Sequence, residues 1–413
     1  MKIILHLDLD SYFVSAERTI NPKLVGKPVV ISSAEKRSII SAASYEAKKL
    51  GIFVPMPYYK ALELAPNLIS VNSNFALYTT LSTKLFELLA NEITPKIEVG
   101  SIDECYIDAT NIWKKFGSPA KLSKYIQELV FKKLKLPISI GIGNNKFIAK
   151  MSTQINKPLG ITITKPGDFK KRFGSWPTSK IHGVGKPTEK ILFDNGINTI
   201  SDLINSDLKT IIDILGVRGE IIWNNVHEKG SDEIDSKMND LKGIGNSITF
   251  MNEDKSNRSE ILEVIKHLCN TISIRLNNRN MSGFVVSLLL KGTGGLNAKV
   301  VRRQVTLKRP ISKKEDIFKV AIGILDDIWN EKPIKFTGVH ITKLINIYEN
   351  TFQQSIFEKI EPKSKIDDIL AIINTKIGYK SITSLKETSE NIKKKQKQSR
   401  YLETDRVVEK YKK

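Results

Sequence analysis

The sequence is short of cysteine, of acid and of long apolar runs, and each shortage removes a class of protein. Its 413 residues include 2 cysteines, Cys105 and Cys269. Two thiols make neither a disulfide framework nor a cysteine-rich metal module, so both are excluded. Cys105 reads as a small buried filler. No segment approaches the roughly 18–20 consecutive apolar residues of a membrane helix. The run from Met1 to Asp8 is apolar but meets two aspartates. It lacks the basic flank, the length and the small-residue cleavage site of a secretory signal, so a cytoplasmic protein is expected.

Acids number 44 against 65 lysines and arginines, a net charge of +21. A bias toward Lys, Asn and Ile imposed by genome composition would account for part of this. The excess also suits a polyanionic partner such as nucleic acid. The 40% hydrophobic content is ordinary for a globular protein, and the length allows two to four domains.

Short apolar runs bounded by turn residues read as strands at Ile3–Leu7, Ile97–Val99, Cys105–Ile107 and Ile138–Ile142. Helical periodicity covers Phe75–Asn91 and Leu122–Leu134. A small unit of mixed signals, from Leu24 to Pro66, interrupts this series. Without it the order is βαββαβ, that of a ferredoxin-like sheet. Short helices follow Pro166, at Asp168–Phe173, Thr188–Asn195, Ser201–Asn205, Leu208–Leu215 and Glu220–Val226. A polar linker spans Lys229 to Asp240. A second α+β unit has strands at Ile248–Met251, Gly283–Leu290, Val301–Thr306 and Thr337–Ile345, with helices at Ser259–Asn277 and Lys313–Trp329. The final stretch holds a helix at Ile366–Thr375 and a mobile Lys-rich segment from Lys393 to Lys397.

Three carboxylates carry the chemistry. Asp8 lies at a strand end, and Asp103-Glu104 lies between two strands. In a ferredoxin-like sheet the first strand neighbours the strand after that turn, so the three acids converge. Surface turns commonly carry Asp and Glu, but two apolar strands both delivering acids at their ends is a stronger pattern. Hard oxygen donors suit Mg²⁺ together with substrate phosphates. Two ions roughly 3.5–4 Å apart suit phosphoryl-type displacement. Asp10 alternates with Asp8 and is a structural or supporting candidate. His6, in an apolar strand, reads as a core histidine.

The run Asp8-Leu9-Asp10-Ser11-Tyr12-Phe13 resembles the D-x-D-x-F/Y-F/Y signature of Y-family DNA polymerases. Ser101-Ile102-Asp103-Glu104 is similar to their S-[IL]-D-E motif. Ser44–Gly51, Gly141–Lys146 and Asn156–Gly160 resemble three further segments, in the same order and spacing, and the likeness extends to about residue 345. The nearest branch is the DinB, or polymerase IV, type; the UmuC-like branch is second. The resemblance implies a multidomain α+β right hand: a ferredoxin-like palm (1–10 and 76–165), small fingers (11–75), a helical thumb (166–233), a linker (234–242), a DNA-gripping little finger (243–345) and a tail (346–413). It implies template-directed, low-fidelity lesion-bypass synthesis without proofreading, by a monomer acting on primer-template DNA and deoxynucleoside triphosphates. Mg²⁺ is expected at two sites, with Mn²⁺ as a substitute. Asp8, Asp103, Glu104 and the Leu9 carbonyl would hold the metal.

The resemblance further implies that Phe13 is a steric gate against ribonucleotides. Tyr12, Phe13, Tyr45, Lys48 and Lys157 would bind the nucleotide. Lys48 stands where these enzymes usually have arginine, Ala42 where threonine is common, and Pro55 where a small residue is usual. Ile181–Gly185, followed by Thr188–Asn195, resembles a helix-hairpin-helix, which assigns DNA-backbone contacts to Gly183, Gly185 and Lys186. His182 is expected to be exposed on that hairpin. Lys299, Arg302, Arg303 and Lys308 are expected to track the duplex as one basic cluster. Gln353-Gln354-Ser355-Ile356-Phe357 resembles a sliding-clamp peptide, with Gln353, Ile356 and Phe357 as its anchors. A non-catalytic, clamp-recruited DNA-binding adaptor is the alternative reading, and a nucleotide cyclase a more distant one. An adaptor has no need to retain all three acids, and a cyclase has no need of the hairpin and basic unit.

Overall fold

The computed structural model describes residues 2–35, 38–235, 241–251, 253–293, 298 and 300–347. The chain divides near residue 240 into two compact units. The first begins with β1 (Ile4–Leu9) and α1 (Tyr12–Ile20). An inserted unit follows: β2 (Val29–Ile31), β3 (Ala42–Ala43), α2 (Tyr45–Lys49), α3 (Tyr58–Leu64) and β4 (Ile69–Val71). These three strands form their own sheet, in the order β3-β2-β4. The chain then runs through α4 (Phe75–Glu92), β5 (Ile97–Val99), β6 (Glu104–Asp108), α5 (Pro119–Leu134), β7 (Ile138–Gly143), α6 (Lys146–Thr153) and β8 (Ile161–Ile163).

The main sheet has the order β5-β6-β1-β7-β8. Its first four strands are antiparallel and have the ferredoxin-like arrangement expected from βαββαβ. The fifth strand, β8, pairs parallel to β7 and was not expected, nor was α6. Strand β1 also runs to Leu9, past the expected end at Asp8. Strand alternation explains what this sheet does. Leu5, Leu7 and Leu9 project into a core with Tyr78, Leu85, Phe86 and Leu89 of α4 and Leu122, Ile126 and Val130 of α5. His6 and Asp8 therefore lie on the opposite face.

Helix α6 packs on that opposite face, and two glycines on β7 let it approach. A Cβ on Gly143 would lie 2.7 Å from the Ala149 nitrogen, and one on Gly141 would overlap the Ala149 carbonyl. The helix starts at Asn145, whose side chain accepts from the Ile148 amide at 2.8 Å. Its other side, through Phe147, Ile148 and Met151, joins the core of the short helices that follow. These are α7 (Phe169–Phe173), α8 (Lys186–Asp194), α9 (Ile200–Asn205), α10 (Leu208–Leu215) and α11 (Val217–Val226).

The second unit contains β9 (Gly243–Thr249), α12 (Arg258–Asn277), β10 (Met281–Gly292), β11 (Val300–Ile311), α13 (Lys314–Ile328) and β12 (Ile334–Asn346). Its antiparallel sheet has the order β11-β10-β12-β9. Ile261, Ile265, Leu268 and Ile272 of α12 share one core with Ile317, Ile324 and Leu325 of α13 and with Val286 and Leu288 of β10. Both helices thus cover the same face. Among the described residues no helix is long and apolar enough to cross a membrane.

Candidate active site

The pairing of β1 with β6 sets Asp8 directly opposite Glu104. Like charges in such a position repel, so the arrangement needs cations nearby. Two lysines provide them. Lys157 Nζ lies 2.5 Å from Asp8 Oδ1, and Lys150 Nζ lies 2.6 Å from Glu104 Oε2. Asp103 occupies the turn before β6. Its carbonyl accepts from the Leu9 amide at 3.0 Å, which ties the turn to the end of β1. Its carboxylate accepts a hydrogen bond from the Ser101 hydroxyl.

The three acids differ electrostatically. Burial pushes the Asp103 carboxyl above the usual aspartate range; Ser101 opposes this, and the charges of Asp8 and Glu104 add to it. Burial would raise Glu104 too, but contacts with His6 and Lys150 hold it down at about 2. The donor atoms of His6, Asp8 and Glu104 lie within 4.8 Å of one another. The carboxylate oxygens of Asp8 and Glu104 in this group suit a hard divalent cation. Asp103 is not one of its members, and burial first, then the charges of Asp8 and Glu104, disfavour its anion.

The residues expected to bind the nucleotide, Tyr12, Phe13, Tyr45, Lys48 and Lys157, line one cleft with Asp8, Leu9, Ala42 and Asp103. Phe13 stacks on Tyr78, with ring centroids 4.5 Å apart and planes 12° apart. Phe75 meets Phe13 edge-on. The Tyr12 hydroxyl donates to the Tyr78 carbonyl, beneath the cleft. Tyr45 donates its hydroxyl to Asp10 at 3.1 Å, and burial followed by the Asp10 charge raises its pKa. Lys48 donates to Ser11 Oγ at 3.1 Å and lies over the Tyr45 ring. Burial, followed by the charge of Lys157, lowers its pKa.

Asp10 belongs to the scaffold. It is buried and accepts from Ser139 Oγ at 2.8 Å, from the Leu159 amide at 2.8 Å and from Tyr45. His6 is buried as a core histidine would be, but it is not packed only in hydrocarbon. Its Nδ1 is 2.8 Å from Thr153 Oγ1 and its Nε2 is 3.4 Å from Glu104 Oε2. Sequence reasoning missed His6 and Lys150 as neighbours of the acids. The signal for His6 was its place two residues before Asp8, on the same strand face. For Lys150 it was the spacing of Lys146, Lys150 and Thr153 along one helix face.

Gly183 precedes α8 with φ of 95°, and Gly185 caps that helix ahead of Lys186. The Gly183 carbonyl accepts from Arg218 at 2.6 Å, and His182 is exposed as expected. In the second unit the expected basic cluster is divided. Adjacent residues of a strand face opposite ways. Arg302 lies on the face without helices, 3.4 Å from Ser287 Oγ, and Lys308 shares that face by alternation. Arg303 lies on the helical face, 3.4 Å from Asp327 of α13. Lys299, Gln353, Ile356 and Phe357 lie outside the described residues, as does the rest of the tail.

The impB/mucB/samB family model matches residues 7–154, and the model of that family's C-terminal domain matches residues 241–356. DNA polymerase IV 1 of Halalkalibacterium halodurans is 33% identical over 343 residues, which is 82% of this chain and 81% of the relative. DNA polymerase IV of Bacillus anthracis is 32% identical over 399 residues, 96% of this chain and 95% of the relative. Among solved structures, a Y-family DNA polymerase chimera is similar with a TM-score of 0.73 at 25% identity, over 83% of this chain and 99% of that one. The chain belongs to the impB/mucB/samB family and is a Y-family DNA polymerase of the DinB, or polymerase IV, type. It is a DNA-directed DNA polymerase that uses DNA, nucleotides and divalent metal, and a part in translesion synthesis follows from the family.

Proposed function

We propose that the chain adds deoxyribonucleotides to a primer 3′-end at the cleft bounded by Asp8, Asp103 and Glu104. The observation that carries this reading is the pairing of Asp8 across from Glu104, with Asp8 and Asp103 lining one cleft with Phe13, Tyr45, Lys48 and Lys157. Asp8, Asp103 and Glu104, with the Leu9 carbonyl, would hold two Mg²⁺ ions, or Mn²⁺ in their place. When bound, these ions supply positive charge and Lewis acidity for nucleotidyl transfer.

The protein's own groups do the rest. Lys48 and Lys157 bind triphosphate oxygens, exchanging their present oxygen partners for phosphate. Tyr45 orients the same group, and Tyr12 fixes the floor on which Phe13 stands. The Phe13 ring fills the space a ribose 2′-hydroxyl would need. The 1–10 and 76–165 segments act as palm, 11–75 as fingers and 166–233 as thumb; past the 234–242 linker, 243–345 is a little finger. Gly183, Gly185 and Lys186 approach the DNA backbone through amides and charge, without reading sequence. Arg302 and Lys308, with Lys299, add phosphate contacts from the second unit, and Arg303, on the helical face beside Asp327, contributes less. Gln353, Ile356 and Phe357 tether the enzyme, a cytoplasmic monomer, to a sliding clamp.

Primer extension with Mg²⁺ tests the core of this reading, run beside a duplex-binding titration. Asp103→Asn and Glu104→Gln should abolish extension while leaving binding nearly intact. Extension by Asp103→Asn within a few-fold of the unmodified enzyme would overturn the metal assignment.

A further inference from the structure

We infer that Lys150 is a positioning residue of the polymerase reaction, orienting the Glu104 carboxylate from behind with His6 as a rigid wall. The inference rests on the role proposed for Glu104 above. Three observations carry it.

First, Glu104 Oε2 is gripped from the α6 side. Lys150 Nζ is 2.6 Å away, and the two side chains are only 13% and 19% exposed. A pair so far removed from water is attracted more strongly than a surface pair, and breaking it leaves a charge poorly solvated. The other carboxylate oxygen lies over Gly100, where an added Cβ would come within 3.1 Å of Oε1. The carboxylate is therefore confined between the turn backbone and the lysine.

Second, His6 is fixed beside Glu104. Its Nδ1 is 2.8 Å from the Thr153 hydroxyl, which itself reaches the Ala149 carbonyl at 3.0 Å. Its Nε2 faces Glu104 Oε2 at 3.4 Å, longer than the 2.6 Å Lys150 contact. The Tyr106 ring packs on the imidazole at 4.7 Å. His6 is a fixed back wall, and Lys150 supplies the directional bond.

Third, the device is built into one helix. Lys146, Lys150 and Thr153 fall on one face of α6 and reach Glu98, Glu104 and His6 in turn. The helix face thus copies the order β5, β6, β1 of the sheet beneath it. Displacing a reacting group by about 1 Å can cost ~100-fold in rate, so a brace of this kind has kinetic weight.

A lysine that instead bound a substrate phosphate would affect affinity, and single-turnover incorporation by the full chain separates the two roles. Lys150→Met should lower the rate at saturating nucleotide by roughly 10–100-fold. It should change nucleotide half-saturation and duplex affinity by less than about threefold. Lys150→Arg, which keeps a donor for Oε2, should recover part of the loss. Thr153→Val, which frees the imidazole, should show a smaller loss of the same kind. Thermal melting of each variant identifies any that fails to fold, and Lys150→Arg and Thr153→Val then decide the question.

An unmodified rate in Lys150→Met, or a change confined to affinity, would overturn the inference. If Glu104→Gln itself extends primers normally, the reading of Glu104 fails first and the brace with it.

Discussion

Phe13 is held between two rings, stacked on Tyr78 and met edge-on by Phe75. A side chain so fixed can exclude a hydroxyl by volume, where a loose one would yield. Phe13→Ala should therefore reduce discrimination against ribonucleotides by more than about tenfold, equivalent to ~1.4 kcal/mol. Competitive incorporation of paired deoxy- and ribonucleotides measures this, and an unchanged ratio with activity preserved would move the gate elsewhere. Glu46 gives a pH prediction free of Asp8, Asp103 and Glu104. Burial alone would raise its carboxyl, but the Arg18 guanidinium at 2.9 Å, its own amide and Ser44 hold it below the ordinary value of 4.5. A depressed value stabilises the fold above the unfolded pKa, and that contribution is lost as pH falls through the folded one. Solvent reaches the pair, so Glu46→Gln should cost only about 0.5–1 kcal/mol at pH 7. The difference from the unmodified chain should shrink below about pH 4.5. Urea melts at both ends of that range check it; a gap independent of pH would refute the linkage.

Helix α6 links the elements of the site. It reaches the sheet through the space left by Gly141 and Gly143, and it carries Lys150 and Thr153. A methyl at Gly141 would meet the Ala149 carbonyl and Thr153, and the backbone there cannot move aside. Gly141→Ala should destabilise the first unit by roughly 1–3 kcal/mol or more. It should also lower activity, because α6 shifts with its side chains. Gly323 is the control, since an added Cβ in the middle of α13 meets nothing within 4 Å. Gly323→Ala should be neutral or stabilise by about 0.5–1 kcal/mol. Calorimetry of the two variants compares them directly, and similar effects would mean that packing against α6 is not what Gly141 serves.

Over the whole molecule, the net charge of +21 sets a sequence-independent pull toward DNA. Affinity should fall linearly with salt on logarithmic axes. The second unit divides its cations between two faces, which predicts unequal effects. Arg302→Ala with Lys308→Ala, on the face without helices, should reduce the salt slope by about 1–2. Arg303→Ala should change it less, because Arg303 is engaged with Asp327 on the helical side. Fluorescence titrations across salt on two unrelated duplexes measure this. A strong preference for one duplex, or an equal effect of Arg303, would contradict it. Ile356→Ala with Phe357→Ala should remove stimulation by a loaded clamp without slowing single-nucleotide addition, as expected of a tether.

Local rules were enough to find β1, β5, β6, β7 and the acids, though not β8. Alternation in Ile4–Leu9 dictates that Leu5, Leu7 and Leu9 share one face and His6 and Asp8 the other, whatever packs on them. The short apolar runs and helical periodicity carried the βαββαβ order, and the motifs at Asp8–Phe13 and Ser101–Glu104 pointed to the family. Side-chain partners were not legible. Asp10 alternates with Asp8 in sequence, but Ser139 and Leu159 from distant segments claim its carboxylate. The period of β11 separates Arg302 from Arg303, but only the packing of α12 and α13 decides which of them faces helices. His6 and Lys150 are 144 positions apart, and nothing in either neighbourhood joins them. They meet at Glu104 because Gly141 and Gly143 leave room for a helix over the sheet. The sequence determined which face carries the acids; tertiary packing decided what holds them there, because side-chain orientation depends on atoms contributed by the far end of the chain.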